Sequence, residues 1–318
     1  MDVVFFGSGA FGVPTLEHLS RSHTLRGIVT QPDRPAGRGG ELTPTPVGAW
    51  AATHRPDVAL LKPEKCNAAD VTAQIRGWPA EAWVVIAFGQ KLGKALLAER
   101  FAINLHASLL PRWRGAAPIN AALLAGDART GNSVITLAER MDAGLVLGQS
   151  ELTPAPEMTA GEAHDRLSAE GPALVQRVLE GHAAGRLSPA AQDEALVTIA
   201  PKLSRADGWV DFQEAAEQCR RRINGLSPWP GVTVQFRGAP LKLVRATVDA
   251  AAQASSGPAG AIQGAGKGVG EGLVACGVGT LLRLLEVQAP GKRVQAWRDF
   301  ANGARVNAQE VLTGGRPC

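Results

Sequence analysis

The feature that most constrains the fold is a set of short, apolar runs separated by stretches with helical periodicity. One such run is Trp83-Val84-Val85-Ile86-Ala87-Phe88, and another is Asp2-Val3-Val4-Phe5-Phe6. Continuous apolar runs of this length predict parallel strands that are covered on both faces. Their alternation with helical stretches is typical of β-α-β units. The sequence therefore predicts an α/β domain with a doubly wound, mostly parallel sheet.

A glycine-rich turn follows the first run. Residues Gly7-Ser8-Gly9-Ala10-Phe11-Gly12 match G-x-G-x-x-G, the dinucleotide fingerprint. The next strand, Leu25 to Thr30, ends without the acidic residue that would bind a ribose, and Asp33 lies in a loop rich in proline and glycine. We interpret the glycines as permitting a tight turn whose helix N–H groups can receive an anion. A nicotinamide-dependent oxidoreductase stays as an alternative.

The last third of the chain has a different pattern. Short alternating segments such as Val232-Thr233-Val234-Gln235-Phe236 are separated by glycine turns, which predicts a small antiparallel β-barrel (OB-like). Residues 205–318 hold 14 Lys and Arg against 9 Asp and Glu, whereas residues 1–204 hold 19 against 20. A basic module joined to a near-neutral one indicates a polyanionic partner. We expect an α/β catalytic domain over 1–188, a linker over 189–204 and the basic barrel over 205–318.

The composition excludes several classes of protein. No apolar run reaches the roughly 18–20 residues that a membrane-spanning helix needs. The N-terminus has no basic region that would indicate a targeting segment. The four cysteines, Cys66, Cys219, Cys276 and Cys318, are far apart and form no zinc-binding or disulfide pattern. We expect a cytoplasmic protein with no bound metal and no membrane association.

Two local patterns predict helix boundaries. Thr159 and Glu162 have the spacing of a capping box, and Gly171-Pro172 predicts a break or a kink in the helix that follows it. Ser204 is a suitable N-cap for a helix that we expect to run from Leu203-Ser204 to Asn224.

The strongest chemical signal is the strand Phe101-Ala102-Ile103-Asn104-Leu105-His106. Residues two apart on a strand point to the same face, so Asn104 and His106 share one face. A polar pair on a buried strand costs free energy unless it has partners or a task. Satisfying the backbone of the next loop is one such task and catalysis is another. Ligands of open α/β sheets bind at this carboxyl edge.

The segment that begins with this pair resembles a known family. Asn104-Leu105-His106-Ala107-Ser108-Leu109-Leu110-Pro111 resembles the N-x-H-x-S-L-L-P signature of the folate-dependent formyltransferases. Trp113-Arg114-Gly115-Ala116-Ala117-Pro118-Ile119 is similar to the branch that acts on methionyl initiator tRNA. The resemblance continues in Thr30-Gln31-Pro32-Asp33-Arg34, Leu226-Ser227-Pro228-Trp229-Pro230 and Ala289-Pro290-Gly291-Lys292.

The resemblance implies a Rossmann-like fold and a specific reaction. A formyl group would pass from 10-formyltetrahydrofolate to the amino group of methionyl initiator tRNA, for translation initiation. Asn104 would face the oxyanion, His106 would exchange a proton, and Asp142 would orient His106. Because the amine is the nucleophile, no serine or cysteine nucleophile is required. The folate-binding residues implied are Ser108, Leu109, Leu110, Pro111, Ile86, Phe88 and Gly89.

The resemblance also implies contacts with tRNA. The loop that carries Arg34 and Arg38 would enter the acceptor arm, and Gly40-Glu41 stand where relatives have lysines. Further candidate phosphate contacts are Arg112, Arg114, Arg220 and Arg221. Val146-Leu147 replace an Asp-Thr pair after the catalytic aspartate. We expect a monomer, because the substrate is itself large. A formyltransferase acting on a small amine and a non-catalytic tRNA-binding protein stay as alternatives.

Overall fold

The computed structural model describes residues 1–36, 40–248, 257–264 and 266–316. Its strands, in chain order, are β1 Asp2–Gly7, β2 Thr24–Val29, β3 Arg34–Ala36, β4 Glu41–Thr43, β5 Leu60–Leu61, β6 Ala82–Ile86, β7 Phe101–His106, β8 Arg114–Gly115, β9 Thr130–Thr136, β10 Val146–Leu152, β11 Ile199–Ala200, β12 Val232–Phe236, β13 Ala239–Val248, β14 Leu273–Ala275, β15 Leu281–Gln288, β16 Gln295–Ala296 and β17 Leu312–Thr313.

The α-helices of the described chain are α1 Val13–Ser22, α2 Pro46–His54, α3 Ala69–Arg76, α4 Lys94–Leu97, α5 Pro118–Ala125, α6 Ala160–Ala183, α7 Ala216–Gly225 and α8 Trp297–Ala304. Short 3-10 segments cover Ala10–Gly12, Glu194–Leu196, Arg205–Asp207 and Gly266–Glu271. In the part of the chain that the structure describes, no helix has the length and apolar character needed to cross a membrane.

The chain divides into two compact units. The first consists of Met1–Gly115, Gly131–Leu152 and His164–Ile199, and the second of Ala116–Thr130, Thr153–Ala163 and Ala200–Cys318. The segment 189–204 contains one of the 3-10 turns and strand β11.

Over the described residues, the first unit is built on a seven-stranded sheet in the order β10-β9-β7-β6-β1-β2-β5. Strands β5, β2, β1, β6 and β7 run parallel to one another, and β9 is antiparallel to β7. The chain builds outward from β1 to β2 on one side and to β6 on the other, so β1 lies at a switch point where a ligand crevice is expected. The prediction of a mostly parallel α/β sheet is confirmed.

The core of this sheet comes from the apolar runs that predict it. Phe6 of β1 and Trp83 of β6 are fully buried, and their ring centroids are 5.2 Å apart. Burying each large apolar side chain stabilises the fold by about 1.5–3 kcal/mol relative to leaving it exposed. These contacts fix β1 against β6, and therefore fix the carboxyl edge at which the site forms.

The glycine-rich turn after β1 serves packing. A Cβ on Gly12 would lie 3.1 Å from Cζ of Phe5 and 3.3 Å from Cβ of Ile86. The amides of Ser8 and Gly9 both donate to the carbonyl oxygen of Ala87, at 3.2 and 3.4 Å. Two amides of the turn are therefore used within the fold, but both precede the first helical residue, Ala10, so the interpretation that the helix N–H groups can receive an anion stays a prediction.

The second unit contains an antiparallel sheet in the order β14-β15-β13-β12-β17, with β16 on β15. Strand β12 alternates as the sequence predicts, since Val232, Val234 and Phe236 are buried and the residues between them are exposed. Ala261 pairs with Val311 beside β17, and Ile262 pairs with Val274 of β14. Residues 260–262 therefore join the two edges of the sheet and close it into a small barrel, and the prediction of a C-terminal antiparallel β domain is confirmed.

One local prediction is wrong, a second is wrong in so far as it expects a break, and a third is confirmed. No single helix runs from Leu203-Ser204 to Asn224, because Val210 and Phe212 leave the helical path to enter the core of the second unit. Pro172 does not break α6. The helix lies close to β7 at this point, since a Cβ on Gly171 would lie only 2.7 Å from Cδ2 of Leu105. This close packing favours a continuous helix. The capping box is confirmed by hydrogen bonds between Thr159 and Glu162.

Candidate active site

The site begins at the last residue of β7. His106 is 6% exposed, and its Nε2 donates to the carbonyl oxygen of Trp113 at 2.8 Å. A carbonyl oxygen can only accept, so the hydrogen of the neutral ring is on Nε2. The other ring nitrogen, Nδ1, lies 3.6 Å from Oδ2 of Asp142. This is too long for a hydrogen bond, but close enough for the carboxylate to stabilise a protonated imidazole.

The side chain of Asp142 is hydrogen-bonded, and its backbone is in an unfavourable conformation. Its Oδ2 accepts from the amide of Gly115 at 2.9 Å, and its φ of 52° lies in the left-handed region. A non-glycine residue in that region stores strain and persists where its surroundings enforce it. The turn is also confined at Gly144, where a Cβ would lie 1.7 Å from the carbonyl oxygen of Thr136.

Asn104 stands two residues before His106 on β7 and is half-buried. The period of a strand places both side chains on one face. The structure therefore brings His106 and Asp142 together and places Asn104 on the same face as His106.

The loop after His106 is supported by a buried polar network. Ser133 Oγ donates to the carbonyl oxygen of Ser108 at 2.6 Å and accepts from the amide of Leu110 at 3.0 Å. Gln149 Nε2 donates both to Ser133 Oγ and to the carbonyl oxygen of Leu110. Ser133 and Gln149 were not predicted from the sequence, because their bonds join segments far apart in the chain. The network fixes the loop that the family signature encodes.

The residues predicted to bind folate separate into two groups. Ser108, Leu110, Ile86 and Phe88 are buried, and Phe88 packs edge-on against Phe6 in the core. Leu109 and Pro111 are partly exposed, and Gly89 is exposed with a φ of 83°. Buried side chains here can support a ligand-binding wall from behind, while the exposed residues can contact the ligand.

The arginines predicted to contact tRNA are also placed differently from one another. In the first unit, Arg34 is exposed and bonds to Glu64 at 2.6 Å, and Arg112 is exposed with its guanidinium over the Trp113 ring. Arg114 is only 3% exposed and bonds to Glu194 at 2.8 Å. Arg38 lies outside the described residues.

In the second unit, Arg220 and Arg221 both bond to Glu217. Their hydrogen bonds hold the pKa of Glu217 below its ordinary value, with Arg220 contributing most. The three side chains therefore form a cluster in which much of the positive charge is neutralised locally.

A segment that the sequence gives no reason to single out supports the catalytic turn. Gln192 Nε2 donates to the carbonyl oxygens of Asp142 and Gly144, at 2.7 and 2.8 Å, and its Oε1 accepts from Nε of Arg114 at 3.0 Å. Glu194 bonds to Arg114 and Arg140. These partners lie some 50 to 80 positions earlier in the chain, so no local pattern reveals them.

The charge of Glu194 is stabilised by its two partners. Hydrogen bonds from Arg114, and then from Arg140, hold the pKa of this carboxyl below its ordinary value. Among the described residues, no group of three or more His, Cys, Asp or Glu side chains is arranged to hold a metal ion.

Comparison with known proteins defines the class to which this fold and site belong. The formyl transferase family model matches residues 1–179, and the model of the formyl transferase C-terminal domain matches residues 202–305. A solved N-formyltransferase from Helicobacter canadensis has a similar fold, with a TM-score of 0.65 and 10% identity, over 89% of this chain and 98% of its own. The chain is a formyl transferase.

Curated relatives narrow the class. A methionyl-tRNA formyltransferase from Geobacter metallireducens is 37% identical over 96% of both chains. Another from Anaeromyxobacter dehalogenans is 40% identical over 96% of this chain and 97% of its own. The chain therefore belongs to the methionyl-tRNA formyltransferase family.

Proposed function

We propose that this chain transfers the formyl group of 10-formyltetrahydrofolate to the amino group of methionyl initiator tRNA. The observation that carries the proposal is the approach of Asp142 to His106, which belongs to the family signature and ends β7 at its carboxyl edge. The product, formylmethionyl-tRNA, serves translation initiation.

The reaction is acyl transfer to an amine, so the site must manage one oxyanion and one proton. The C–N bond to the amino group forms at the formyl carbon, and the bond from that carbon to N10 of the folate breaks. The proton lost by the attacking nitrogen ends on N10. In such reactions enzymes gain most of their rate from hydrogen-bond donors aimed at the developing oxyanion. A general base whose pKa lies near the working pH adds to this.

His106 can carry the proton only through Nδ1, because Nε2 is already bonded to the carbonyl oxygen of Trp113. In the neutral ring Nδ1 is an acceptor, so it can receive the proton of the attacking amine. The carboxylate of Asp142, 3.6 Å away, stabilises the cation formed in this way. His106 then gives the proton to the leaving nitrogen.

Asn104 supplies the neutral donor. Its side-chain amide lies on the same face of β7 as His106, and an amide N–H stabilises an oxyanion without adding a titratable charge. Because Asn104 stabilises the oxyanion, His106 is available to transfer the proton.

The residues present fit a folate at this edge. Gly89 presents exposed backbone that the buried side chain of Phe88 supports, and Leu109 and Pro111 add partly exposed apolar surface. A wall that combines apolar surface with accessible backbone groups suits a planar pterin, since ligand sites join apolar contact with a few polar groups. We infer that Ile86, Ser108 and Leu110 act indirectly, by holding this wall in shape.

For tRNA we infer that Arg34, Arg38 and Arg112 contact the backbone of the acceptor arm. Arg114 has its guanidinium bonded to Gln192 and Glu194, so its part in the reaction is to hold the loop beside His106. Arg220 and Arg221 would meet tRNA as members of a cluster with Glu217. We further infer that the protein works in the cytoplasm as a monomer, which sedimentation of the free chain tests.

The decisive experiment is formylation of charged initiator tRNA with 10-formyltetrahydrofolate. We expect formylmethionyl-tRNA as the product, with free methionine formylated far more slowly. A nucleotide-linked amino sugar serves as a third acceptor, because similar folds act on such amines. Faster formylation of the sugar than of the tRNA would overturn the proposed acceptor.

A further inference from the structure

We propose that Gln192 is a positioning residue for this reaction, acting through Asp142; the inference rests on the proposed function. Gln192 lies in the segment after α6, far from the family signature in sequence. Its side chain joins the segment of Arg114 to the turn of Asp142, and both segments contact His106 or its partner carboxylate.

The three hydrogen bonds of the Gln192 side chain connect two separate segments. Two donor hydrogens of Nε2 go to the carbonyl oxygens of Asp142 and Gly144, on the turn that carries the catalytic carboxylate. The acceptor Oε1 takes a hydrogen from Nε of Arg114, which lies between Trp113 and Gly115. One amide therefore uses all its donors and one acceptor site to tie these turns together.

Both turns connect directly to the reacting groups. The carbonyl oxygen of Trp113 accepts from Nε2 of His106, and the amide of Gly115 donates to Oδ2 of Asp142. A shift of either turn would change the separation of Nδ1 from the carboxylate.

The conformation of Asp142 explains why such a tie is needed. Its φ of 52° is unfavourable for a residue with a Cβ, so the turn would relax if the bonds that hold it were lost. Gln192 bonds to the carbonyl oxygen of that same residue. We therefore expect its loss to release the carboxylate from His106 while leaving the surfaces that bind folate and tRNA in place.

The test compares Gln192→Glu and Gln192→Ala with the wild-type full chain. The glutamate keeps the length and the contact with Arg114 but cannot donate to the two carbonyl oxygens. We expect kcat to fall about tenfold to a hundredfold, as misplaced catalytic groups cause. The KM values for 10-formyltetrahydrofolate and for charged tRNA should stay within about twofold, since the lost contact affects the chemical step and not binding.

Gln176→Ala is the matched control. Gln176 is also half-buried in the first unit and has three hydrogen-bonded partners, His18, His23 and Glu180. We expect this variant to keep the wild-type kcat. Thermal unfolding of all variants separates loss of folding from loss of catalysis.

A double-mutant cycle tests whether Gln192 acts through Asp142. If Gln192 acts through Asp142, adding Gln192→Glu to Asp142→Ala should change kcat by less than about twofold, because residues that act as a unit are non-additive. A full further loss on the Asp142→Ala background, or a wild-type kcat in Gln192→Glu, would overturn the inference. A wild-type chain that formylates no charged tRNA would instead overturn the proposed function.

Discussion

His106 donates its Nε2 hydrogen to the carbonyl oxygen of Trp113 at 2.8 Å, seven residues further along the chain. This bond settles which ring nitrogen faces Asp142, and it does so before any substrate arrives. The orientation of the imidazole is therefore a property of the folded signature loop.

Replacing His106 by alanine should nearly eliminate transfer and spare folate binding. We expect the single-turnover rate of formyl transfer to fall by about 10²- to 10⁴-fold, the range for loss of a general acid or base. Fluorescence titration with the folate should give an unchanged affinity. His54→Ala, on exposed surface of α2, serves as the control. Near-normal turnover of the His106 variant would contradict the catalytic role.

Gly144→Ala should disturb the catalytic turn. The added Cβ would lie 1.7 Å from the backbone oxygen of Thr136, which no side-chain movement can relieve. We expect both lower thermal stability and reduced kcat. Gly303→Ala on α8 is the contrasting change, since a Cβ there meets nothing within 4 Å and should stabilise the helix by up to about 1 kcal/mol. Wild-type activity of the Gly144 variant would show that the turn tolerates displacement.

The bonds of Glu194 should make stability depend on pH. Since its pKa is lowered in the folded chain by Arg114 and Arg140, its contribution is present above the ordinary value of 4.5 and is lost as the pH falls through the lowered pKa. We expect Glu194→Gln to have a lower melting temperature than wild type at pH 7, and the difference to shrink on acidification. Melting curves between pH 3.5 and pH 7, as an approximate range around this titration, check it. A difference that grows on acidification would contradict it.

The two arginines that follow β2, Arg34 at the start of β3 and Arg38, should contribute to the salt dependence of tRNA binding. Removing a single phosphate contact, by Arg34→Ala or Arg38→Ala, should lower the slope of log affinity against log salt by about 0.7–0.9. Arg186→Ala, exposed after α6, is the control. Filter binding at several salt concentrations measures the slope. An unchanged slope in both variants would remove this segment from the tRNA contact.

Replacing Asn224 should destabilise the second unit. This residue is 1% exposed, its Nδ2 donates to the carbonyl oxygen of Ala246, and its Oδ1 accepts from the Ala246 amide. Asn224→Ala leaves both backbone groups buried without these partners, which costs about 1–3 kcal/mol for each unsatisfied group. Chemical denaturation measures the change, with exposed Asn302→Ala as control. A stability equal to wild type would mean that water replaces the side chain.

The elements that could be predicted are those whose signal is local. The apolar run that becomes β6 and the alternation of β12 follow directly from residue order, and so does the placing of Asn104 and His106 on one strand face. The class of reaction followed from a contiguous motif around them. These features need no knowledge of distant contacts.

What could not be predicted depends on contacts between remote segments. The turn of Asp142 is held by Gln192, 50 residues later. The helix expected over 203–224 is interrupted where Val210 and Phe212 enter a core that later strands build. Likewise α6 continues through Pro172, beside Gly171, where the helix lies close to Leu105 of β7. In each case tertiary packing overrides a local preference.

The closure of the second sheet by residues 260–262 has a consequence for behaviour in a crowded solution. Strands at an open margin present unpaired amides and carbonyls, to which another polypeptide can add by backbone pairing. Here the margins formed by β14 and β17 are both occupied by the same short segment. Over the described residues, neither margin of this sheet therefore offers a free edge to a strand of another chain.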